Sequence, residues 1–413
     1  MAHKDKQRIG ALLKYTRQHL NLKQQAFILD KHGVPICSLR TYIKIENGEE
    51  VKNDDFYELL LKRWYLKYVT HPAAEKAMTA CFSLLEDLCI YEESTAKTQM
   101  QAHLRELLYY EDQNDYYLLF HRLMAFLLAK DGSNLEALRD AFTLVSLFGR
   151  DDYTPFYFAL NEINVMSQLD TDLTHHLTTY LRQNQDDSLS NRFIQLILDH
   201  YEGKHYGVMQ RIGDLTEDLF CTGHRHAWLT CLQLQILLLW RIDPAYVKSR
   251  LLPRLQAVDE DSLALDDHIA YLSCLAPLLW SSQKTQAAYE VLLTLRDLGP
   301  HQFLGFFPLY MHCKENLGLP IEKNDFSLDT QSGDSSYYLA YHYYQMKYAG
   351  QSPQFLLKYL YQDVFASLEK GTLDFCIWRI LWDEMARLCQ QTESYKYFYL
   401  CYRKYAHFFA TDG

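Results

Sequence analysis

Apolar residues recur three and four positions apart in nearly every window of the chain, and strand-like alternation of apolar and polar residues is rare. This spacing gathers apolar side chains on one face of a helix. Polar or glycine-containing breaks separate the apolar segments, and each segment is as long as one helix or a pair of helices. The pattern therefore predicts an all-α fold, with a small N-terminal domain over residues 1–68 and an array of helical hairpins over residues 69–413.

The N-terminal pattern predicts four short helices. The hydroxyl of Ser38 suits a helix N-cap, and the Asn47-Gly48 pair is typical of a helix end. Between these two signals, Tyr42 and Ile45 have the spacing of core residues on one helix face. The predicted helices cover residues 7–20, 23–30, a third segment from Ser38 to Asn47, and 54–68.

Residues 22–48 resemble the helix-turn-helix core of a Cro/repressor-type, or XRE-like, DNA-binding domain. The resemblance rests on Ser38, Tyr42 and Ile45, followed by the run Glu46-Asn47-Gly48. In such domains the second helix of the motif enters the major groove, and the first rests against the phosphate backbone. One departure is the connection between the two helices, which is several residues longer here than in the compact repressors.

The resemblance implies a set of DNA contacts. Arg40 is the best candidate for a base contact, because its guanidinium matches O6 and N7 of guanine. Gln24 and Gln25 would bond phosphate through a side chain or a backbone N–H, and Lys23 and Lys44 would add positive charge. Alternatively, Arg40 and Lys44 are ordinary solvated helix residues. The full set of candidates is Lys23, Gln24, Gln25, Ser38, Leu39, Arg40, Thr41 and Lys44.

The distribution of charge is compatible with this interpretation, although the net charge of −11 by itself argues against a nucleic-acid binder. Residues 1–64 carry 12 Lys/Arg and 8 Asp/Glu, a net charge of +4, whereas the rest carry 29 and 44, a net charge of −15. A basic head on an acidic body confines contact with DNA to the head. The sequence has no apolar run of membrane-spanning length and no signal-peptide core, so we expect a cytoplasmic protein without membrane contact.

Three segments of the body resemble degenerate tetratricopeptide (TPR) units, although no strict 34-residue period is visible. They lie at residues 190–219, 269–299 and 336–368. In the first, Tyr201, Gly203 and Tyr206 mimic the corner between the two helices of the repeat. The resemblance implies an α-solenoid of TPR-like hairpins, in which each pair buries its apolar face on the next.

An XRE-like head followed by degenerate TPR-like helices resembles the RRNPP family of peptide-responsive regulators of Gram-positive bacteria, which includes Rgg-, PlcR-, NprR- and PrgX-like proteins. The resemblance implies a homodimeric, cytoplasmic transcription factor for quorum sensing. A short signalling peptide would bind the concave face of the repeat domain and change promoter binding. A symmetric dimer would read an inverted repeat in double-stranded DNA.

Family receptors hold the peptide backbone with asparagines on inward helix faces, aided by Arg or Lys. Asn161 and Asn164 are three positions apart and share a helix face, and Asn191 and Gln195, four apart, do likewise. An amide side chain supplies both a donor and an acceptor, which matches a peptide group. The candidates are therefore Asn161, Asn164, Asn191, Arg192 and Gln195; helix capping or solvation is the alternative role for each.

Other functional classes find less support in the sequence. No glycine-rich phosphate loop and no HExxH motif occurs, and the cysteines are scattered singly, so we expect no enzyme, cofactor or metal site. Two alternatives stay open: a helical-repeat module that sequesters a partner protein, and an XRE-type regulator that senses a non-peptide effector. For dimerisation we favour the aromatic C-terminal residues 395–409, with packing on the preceding repeat as the alternative.

Overall fold

The computed structural model describes residues 1–130, 134–149, 153–167, 170–183, 186–239, 243–260, 263–328, 335–368 and 375–405. Throughout these residues the regular structure is helical, and the only β pairing is in two isolated bridges, Leu29 with Pro35 and Tyr68 with Asn114. The prediction of an all-α fold is confirmed. Among the helices of this part of the chain, none has a stretch both apolar and long enough for a transmembrane span.

The chain forms two compact units, Met1–Glu202 and Gly203–Gly413. The predicted boundary after residue 68 lies inside the first unit, where the N-terminal helices pack on the helices that follow them. The first unit contains α1 (His3–His19), α2 (Gln24–Phe27), α3 (Leu39–Glu46), α4 (Asp55–Arg63), α5 (Pro72–Ser83), α6 (Leu85–Cys89), α7 (Ser94–Leu108), α8 (Asp115–Ala129), α9 (Leu135–Val145), α10 (Tyr153–Ser167), α11 (Thr171–Gln183) and α12 (Leu189–Tyr201), with a 3-10 turn at Glu111–Gln113.

Helices α1 to α4 enclose a small core of their own. Its side chains come from all four helices and have no exposed surface: Ile9, Leu12, Leu13, Phe27, Tyr42, Ile45, Tyr57 and Leu60. The four predicted helices are present, with different bounds. Helix α1 begins at His3, and α2 ends at Phe27 because the chain then enters a hydrogen-bonded turn. Helix α4 ends at Arg63, and Tyr65 beyond it has a positive φ of 56°, which ends the helix.

The rest of the first unit packs helix on helix. Helices α5, α7, α8 and α9 form a consecutive series of contacts, and α10 packs on α6, α9 and α11. Phe120, Phe148 and Phe156 form an aromatic cluster in the middle, with ring centroids 5.3 Å and 5.6 Å apart. Helix α1 lies on α8, so the N-terminal helices and this layer share one compact unit.

The second unit contains α13 (His205–Thr222), α14 (Arg225–Leu239), α15 (Pro244–Tyr246), α16 (Leu252–Gln256), α17 (Leu265–Ser281), α18 (Thr285–Leu298), α19 (Pro300–Asn316), α20 (Ser335–Tyr348), α21 (Pro353–Tyr359), α22 (Phe365–Leu368), α23 (Phe375–Thr392) and α24 (Lys396–Tyr405). Val247–Leu251 and Leu360–Val364 are π-helical, and Lys323–Phe326 is a 3-10 turn.

In the second unit, helices that follow one another along the chain also pack on one another. The contacts run from α13 to α14 and then through α17, α18, α19 and α20. Within the predicted hairpin at residues 269–299, Ala288 of α18 is completely buried, which permits close approach to α17. Short connections between long helices produce this sequential, hairpin-like packing.

Candidate nucleic-acid interface

Helix α3 is amphipathic and capped. Ser38 Oγ accepts a hydrogen bond from Thr41 N at 3.1 Å, so it is the N-cap that the sequence predicted. On the inner face, Tyr42 and Ile45 are completely buried, and the Tyr42 ring lies 5.5 Å from that of Phe27 on α2. The helix is therefore fixed to α1 and α2 by one side only.

The outer face of α3 is exposed to solvent. Arg40, Ile43 and Lys44 are exposed, and Leu39 and Thr41 are partly so. Arg40 makes no hydrogen bond or ion pair with the residues that the structure describes, and Lys44 has only a long contact of 4.0 Å with the exposed Glu49. The guanidinium of Arg40 and the ammonium of Lys44 are thus available to a ligand.

The C-terminal end of α3 is held by a buried carboxylate. Glu46, with a side chain only 3 % exposed, accepts Arg17 Nε of α1 at 2.6 Å on Oε1. Its Oε2 accepts Gln24 Nε2 of α2 at 2.6 Å. One carboxylate therefore connects the first three helices, and the hydrogen bond with Glu46 raises the pKa of Arg17.

This arrangement separates the candidates at the start of α2. Lys23 and Gln25 are exposed. The amide of Gln24 is instead committed to Glu46, so the predicted phosphate contact through its side chain requires that bond to break. Of the eight candidate residues, Lys23, Gln25, Ser38, Arg40 and Lys44 are exposed, and Gln24, Leu39 and Thr41 are partly buried.

The long connection between α2 and α3 is an ordered hairpin turn. Asp30 N donates to Val34 O at 2.8 Å, and Gly33 N donates to Asp30 O at 3.2 Å. Asp30 Oδ1 accepts His32 N and Val34 N, each at 2.8 Å. Gly33 has a φ of +80°, which completes a four-residue turn. The sequence carries a signal for this turn, since Asp followed three residues later by Gly is typical of a β-turn.

Helix α1 joins this module to the rest of the first unit. Arg8 Nη1 lies 2.5 Å from Glu75 Oε1 on α5, and Tyr117 Oη of α8 donates to the same carboxylate at 2.7 Å. Burial opposes ionisation of Glu75, but the hydrogen bonds from Tyr117 and Arg8 outweigh it and lower the pKa of Glu75. Arg17, which pairs with Glu46, lies on the same helix as Arg8. Helix α1 therefore contacts both Glu75 and Glu46.

A cavity of about 540 Å³ opens between α1 and the aromatic cluster. Gln7 and Ala11 of α1 and Asn47 after α3 line one side, and Phe82 and Phe148 line the other. Its lining combines polar and aromatic side chains. A molecule bound there would touch α1, the end of α3 and the helices beyond residue 70 together.

The asparagine candidates for peptide binding lie inside the first unit. Asn164 Nδ2 donates to Asp170 O and to Thr174 Oγ1, both at 2.7 Å, so it fixes the start of α11. Asn161 has no exposed surface; Thr178 Oγ1 lies 3.5 Å from its Oδ1, and its Nδ2 has no partner among the described residues. The two share a helix face, as predicted, and that face packs on α11.

The second group of candidates holds the chain before α12. Asn191 Nδ2 donates to Asp186 O at 2.6 Å, and Gln195 Nε2 donates to Leu181 O at 2.9 Å. Arg182 Nη1 donates to Gln195 Oε1 at 2.7 Å. Arg192 is half-buried. A peptide would have to displace these internal bonds to use the amides of Asn191 and Gln195.

A buried acid next to Asn161 was not among the predicted residues. Glu162 Oε2 accepts Tyr201 Oη of α12 at 3.1 Å, and Oε1 is buried without a partner in the described part of the chain. Burial, together with repulsion from Glu92, raises the pKa of Glu162 to about 7. No local sequence pattern signals this, because the residues that bury Glu162 come from distant helices.

The C-terminal helix α24 exposes a line of tyrosines. Tyr399 and Tyr402 are 63 % and 53 % exposed, and Tyr395, just before the helix, is 59 % exposed. Their spacing of four and three residues places them on one side. The other side is anchored, since Phe398 lies 4.9 Å from Trp382 between ring centroids. Residues 406–409 of the predicted dimer segment lie outside the described residues.

No protein-family model, no curated protein and no solved structure matches this chain.

Proposed function

We propose that the protein is a cytoplasmic DNA-binding transcriptional regulator, and that a short signalling peptide bound to its TPR-like helical body changes its affinity for promoter DNA. The observation that carries the proposal is α3: one face of this capped helix is fixed to α1 and α2, and the opposite face offers Arg40 and Lys44 to solvent. A helix presented in this way fits the major groove, and the arrangement of α2 and α3 fits a helix-turn-helix.

In this proposal the side chains have separate roles. Arg40, in the first turn of α3, donates two hydrogen bonds to O6 and N7 of a guanine. Lys44, one turn further, and Lys23, before α2, contact phosphates and position the helix without reading sequence. Charge supports this division, because the basic excess of the chain is confined to its first 64 residues.

The coupling between peptide and DNA would run through α1. Arg8 holds Glu75 of α5, and Arg17 holds Glu46 of α3, so a shift of the helices beyond residue 70 reaches α3 through one rigid element. All five peptide candidates, residues 161 to 195, belong to the same compact unit as α1 and α3. A peptide that binds two arrangements of this unit with different affinity would shift promoter binding.

The proposed partner in the assembled regulator is a second copy of the chain. The tyrosines along the outer side of α24 supply a surface with apolar rings and hydroxyl groups, the type of side chain enriched at protein interfaces. A two-fold dimer would place two copies of α3 on the two halves of an inverted repeat.

The test is binding of the full-length protein to DNA from its own upstream region, with and without short peptides encoded nearby. We expect salt-sensitive, sequence-specific binding that Arg40→Ala weakens by about 1–3 kcal/mol, with relaxed specificity at one base pair. Arg105→Ala is the matched control, because Arg105 is an exposed arginine on α7.

Each result has a different consequence. Specific binding that a peptide shifts supports the whole proposal. Specific binding that no peptide shifts keeps the DNA step and directs the search to another effector, with the cavity beside α1 as a starting point. An absence of specific binding overturns the proposal and leaves a helical module that binds a protein partner.

A further inference from the structure

The hairpin turn between α2 and α3 presents positive charge beside the proposed DNA-binding helix. Its tip, residues 31–35, is exposed throughout, and it includes Lys31 and His32. Lys31 makes no hydrogen bond or ion pair within the described part of the chain, and Val34 is 57 % exposed. The tip therefore presents Lys31 to solvent without an ion partner among the described residues.

The turn is built to hold this tip in one conformation. Asp30 Oδ1 accepts two backbone N–H groups of the tip, from His32 and Val34, and the hydrogen bond from Val34 lowers the pKa of Asp30. At the base, Ile36 N donates to Ile28 O at 2.9 Å. The lysine is therefore carried by an ordered backbone, which reduces the entropy lost when it binds a ligand.

The base of the hairpin is anchored to α4. Arg63 Nε donates to Leu29 O at 2.9 Å, and Trp64 Nε1 donates to Phe27 O at 3.0 Å. The Trp64 ring also stacks on Phe27 with centroids 4.4 Å apart. These contacts tie the turn to the same four-helix core that fixes α3, so the tip and α3 keep a constant relation.

The chain also limits how far the tip lies from α3. Pro35 precedes Ser38, the N-cap of α3, by three residues, which span at most about 11 Å. The tip itself is a single tight turn, so it stays within roughly 20 Å of the start of α3. Duplex DNA carries one phosphate charge about every 1.7 Å of its axis, so a helix in the groove brings phosphates within reach of a neighbouring cation.

We propose that this hairpin is a second DNA contact, in which Lys31 binds a backbone phosphate at the edge of the segment read by α3, with the His32 imidazole beside it. The inference rests on the proposed function and adds to it a contact outside the helix-turn-helix itself. The contact is with phosphate, so it strengthens binding to any duplex and contributes no base preference.

The test measures salt dependence with the full-length protein and a random-sequence duplex of about 30 base pairs, close to three helical turns. Loss of one phosphate contact lowers the slope of log K against log salt by about 0.9. Lys31→Gln should therefore make binding about 3.5-fold less sensitive to salt between 50 and 200 mM than the wild type. Lys31→Arg, which keeps the charge, should retain the wild-type slope.

Two controls separate a phosphate contact from a general loss of charge or of structure. Lys76→Gln removes an exposed charge from α5 and should leave the slope unchanged. The circular dichroism of Lys31→Gln should stay that of the wild type. Ethylation interference on the upstream DNA should show one phosphate that the wild type requires and Lys31→Gln does not.

The outcomes separate this inference from the proposed function. An unchanged slope for Lys31→Gln, with the wild type bound to DNA, overturns the hairpin contact and leaves the function intact. Binding to the random duplex without any preference for upstream DNA overturns the proposed function, while the slopes still decide the hairpin contact. A wild type that binds neither duplex at 50 mM salt, near the low-salt end of such measurements, overturns both.

Discussion

Arg17 of α1 and Glu46 of α3 form a bidentate ion pair, with Nε 2.6 Å from Oε1 and Nη2 3.3 Å from Oε2. The pair is largely buried, since the side chain of Arg17 is 16 % exposed and that of Glu46 is 3 % exposed. Gln24 donates to the same carboxylate, so Glu46 has a partner on each of the two helices that α3 packs against. The Glu46 carboxylate therefore adds to the apolar packing of Tyr42 and Ile45 in fixing the position of the proposed recognition helix.

Removal of Arg17 should loosen α3. Arg17→Ala leaves the Glu46 carboxylate buried without its cation, and loss of one partner of a buried pair costs about 3 kcal/mol or more. Hydrogen exchange of the α3 amides should accelerate, and DNA affinity should fall even though Arg17 does not contact DNA in the proposal. Lys14→Ala, on the same helix and without an ion pair among the described residues, is the control. Equal exchange rates in the wild type and Arg17→Ala would refute this role.

Close packing of α1 on α3 should make Gly10 intolerant of a side chain. A Cβ atom at Gly10 would lie 2.0 Å from the backbone oxygen of Ile45, and backbone cannot move aside as a flexible side chain can. Gly10→Ala should therefore destabilise the N-terminal helices by about 1–3 kcal/mol, the usual cost of overpacking. The measurement is hydrogen exchange of the α1 and α3 amides.

Gly213 provides the opposite control for this substitution. It lies inside α13, and a Cβ there would meet no atom within 4 Å. Alanine favours a helix interior by about 1 kcal/mol over glycine, so Gly213→Ala should stabilise the protein. If both substitutions changed the stability in the same direction, the close contact between Gly10 and Ile45 would not explain the effect of Gly10→Ala.

The proposed dimer surface predicts a change of oligomeric state. Tyr399 lies in the middle of the exposed tyrosines of α24, so Tyr399→Glu would place a charge where a second copy packs. Burial of an unpaired charge is costly, and the dimer dissociation constant should rise by at least about tenfold. Light scattering after size-exclusion chromatography measures this. Tyr206→Glu, at a tyrosine that is 75 % exposed on α13, should leave the dimer intact.

A wild type that is monomeric at all concentrations would contradict the dimer proposal directly. A dimer that survives Tyr399→Glu would instead move the interface to another surface of the chain. Neither result affects the assignment of α3, because binding of a single head to DNA does not require α24.

The features that could be predicted from the sequence are those set by near neighbours. The cap at Ser38 and the buried positions of Tyr42 and Ile45 follow from spacing along one helix, and the structure has them as expected. The shared face of Asn161 and Asn164 also follows from spacing. What that face touches depends on the packing of α11, which no local pattern encodes.

Contacts between distant residues could not be predicted in the same way. Arg8 and Glu75 are 67 positions apart, and a charged residue on a helix pattern is normally a solvated one. A few such contacts join the N-terminal helices to the next layer within the first unit. The end of α2 was missed because Asp30 N donates forward to Val34 O across the turn, instead of back into the helix, and the partner lies four residues beyond.

Glu162 should make stability depend on pH in the direction opposite to that of a paired carboxylate. Burial, with repulsion from Glu92, raises its pKa in the folded protein to about 7, whereas an unfolded Glu has a pKa near 4.5. Below about pH 4.5 both states hold the proton. As the pH rises towards 7, the unfolded chain releases its proton first, so stability falls through this window and then levels off.

Glu162→Gln removes this titration and keeps a side chain of similar shape. The free energy of unfolding of the variant minus that of the wild type should rise by about 2–3 kcal/mol when the pH is raised from 5 to 8. Chemical denaturation at the two pH values, with hydrogen exchange of the α10 amides to localise the effect, measures the difference. Glu136→Gln, at an exposed position on α9, should give the same stability difference from the wild type at both pH values. A pH-independent effect of Glu162→Gln would mean that the Glu162 carboxyl is solvated in the folded protein and that Tyr201 alone accounts for its position.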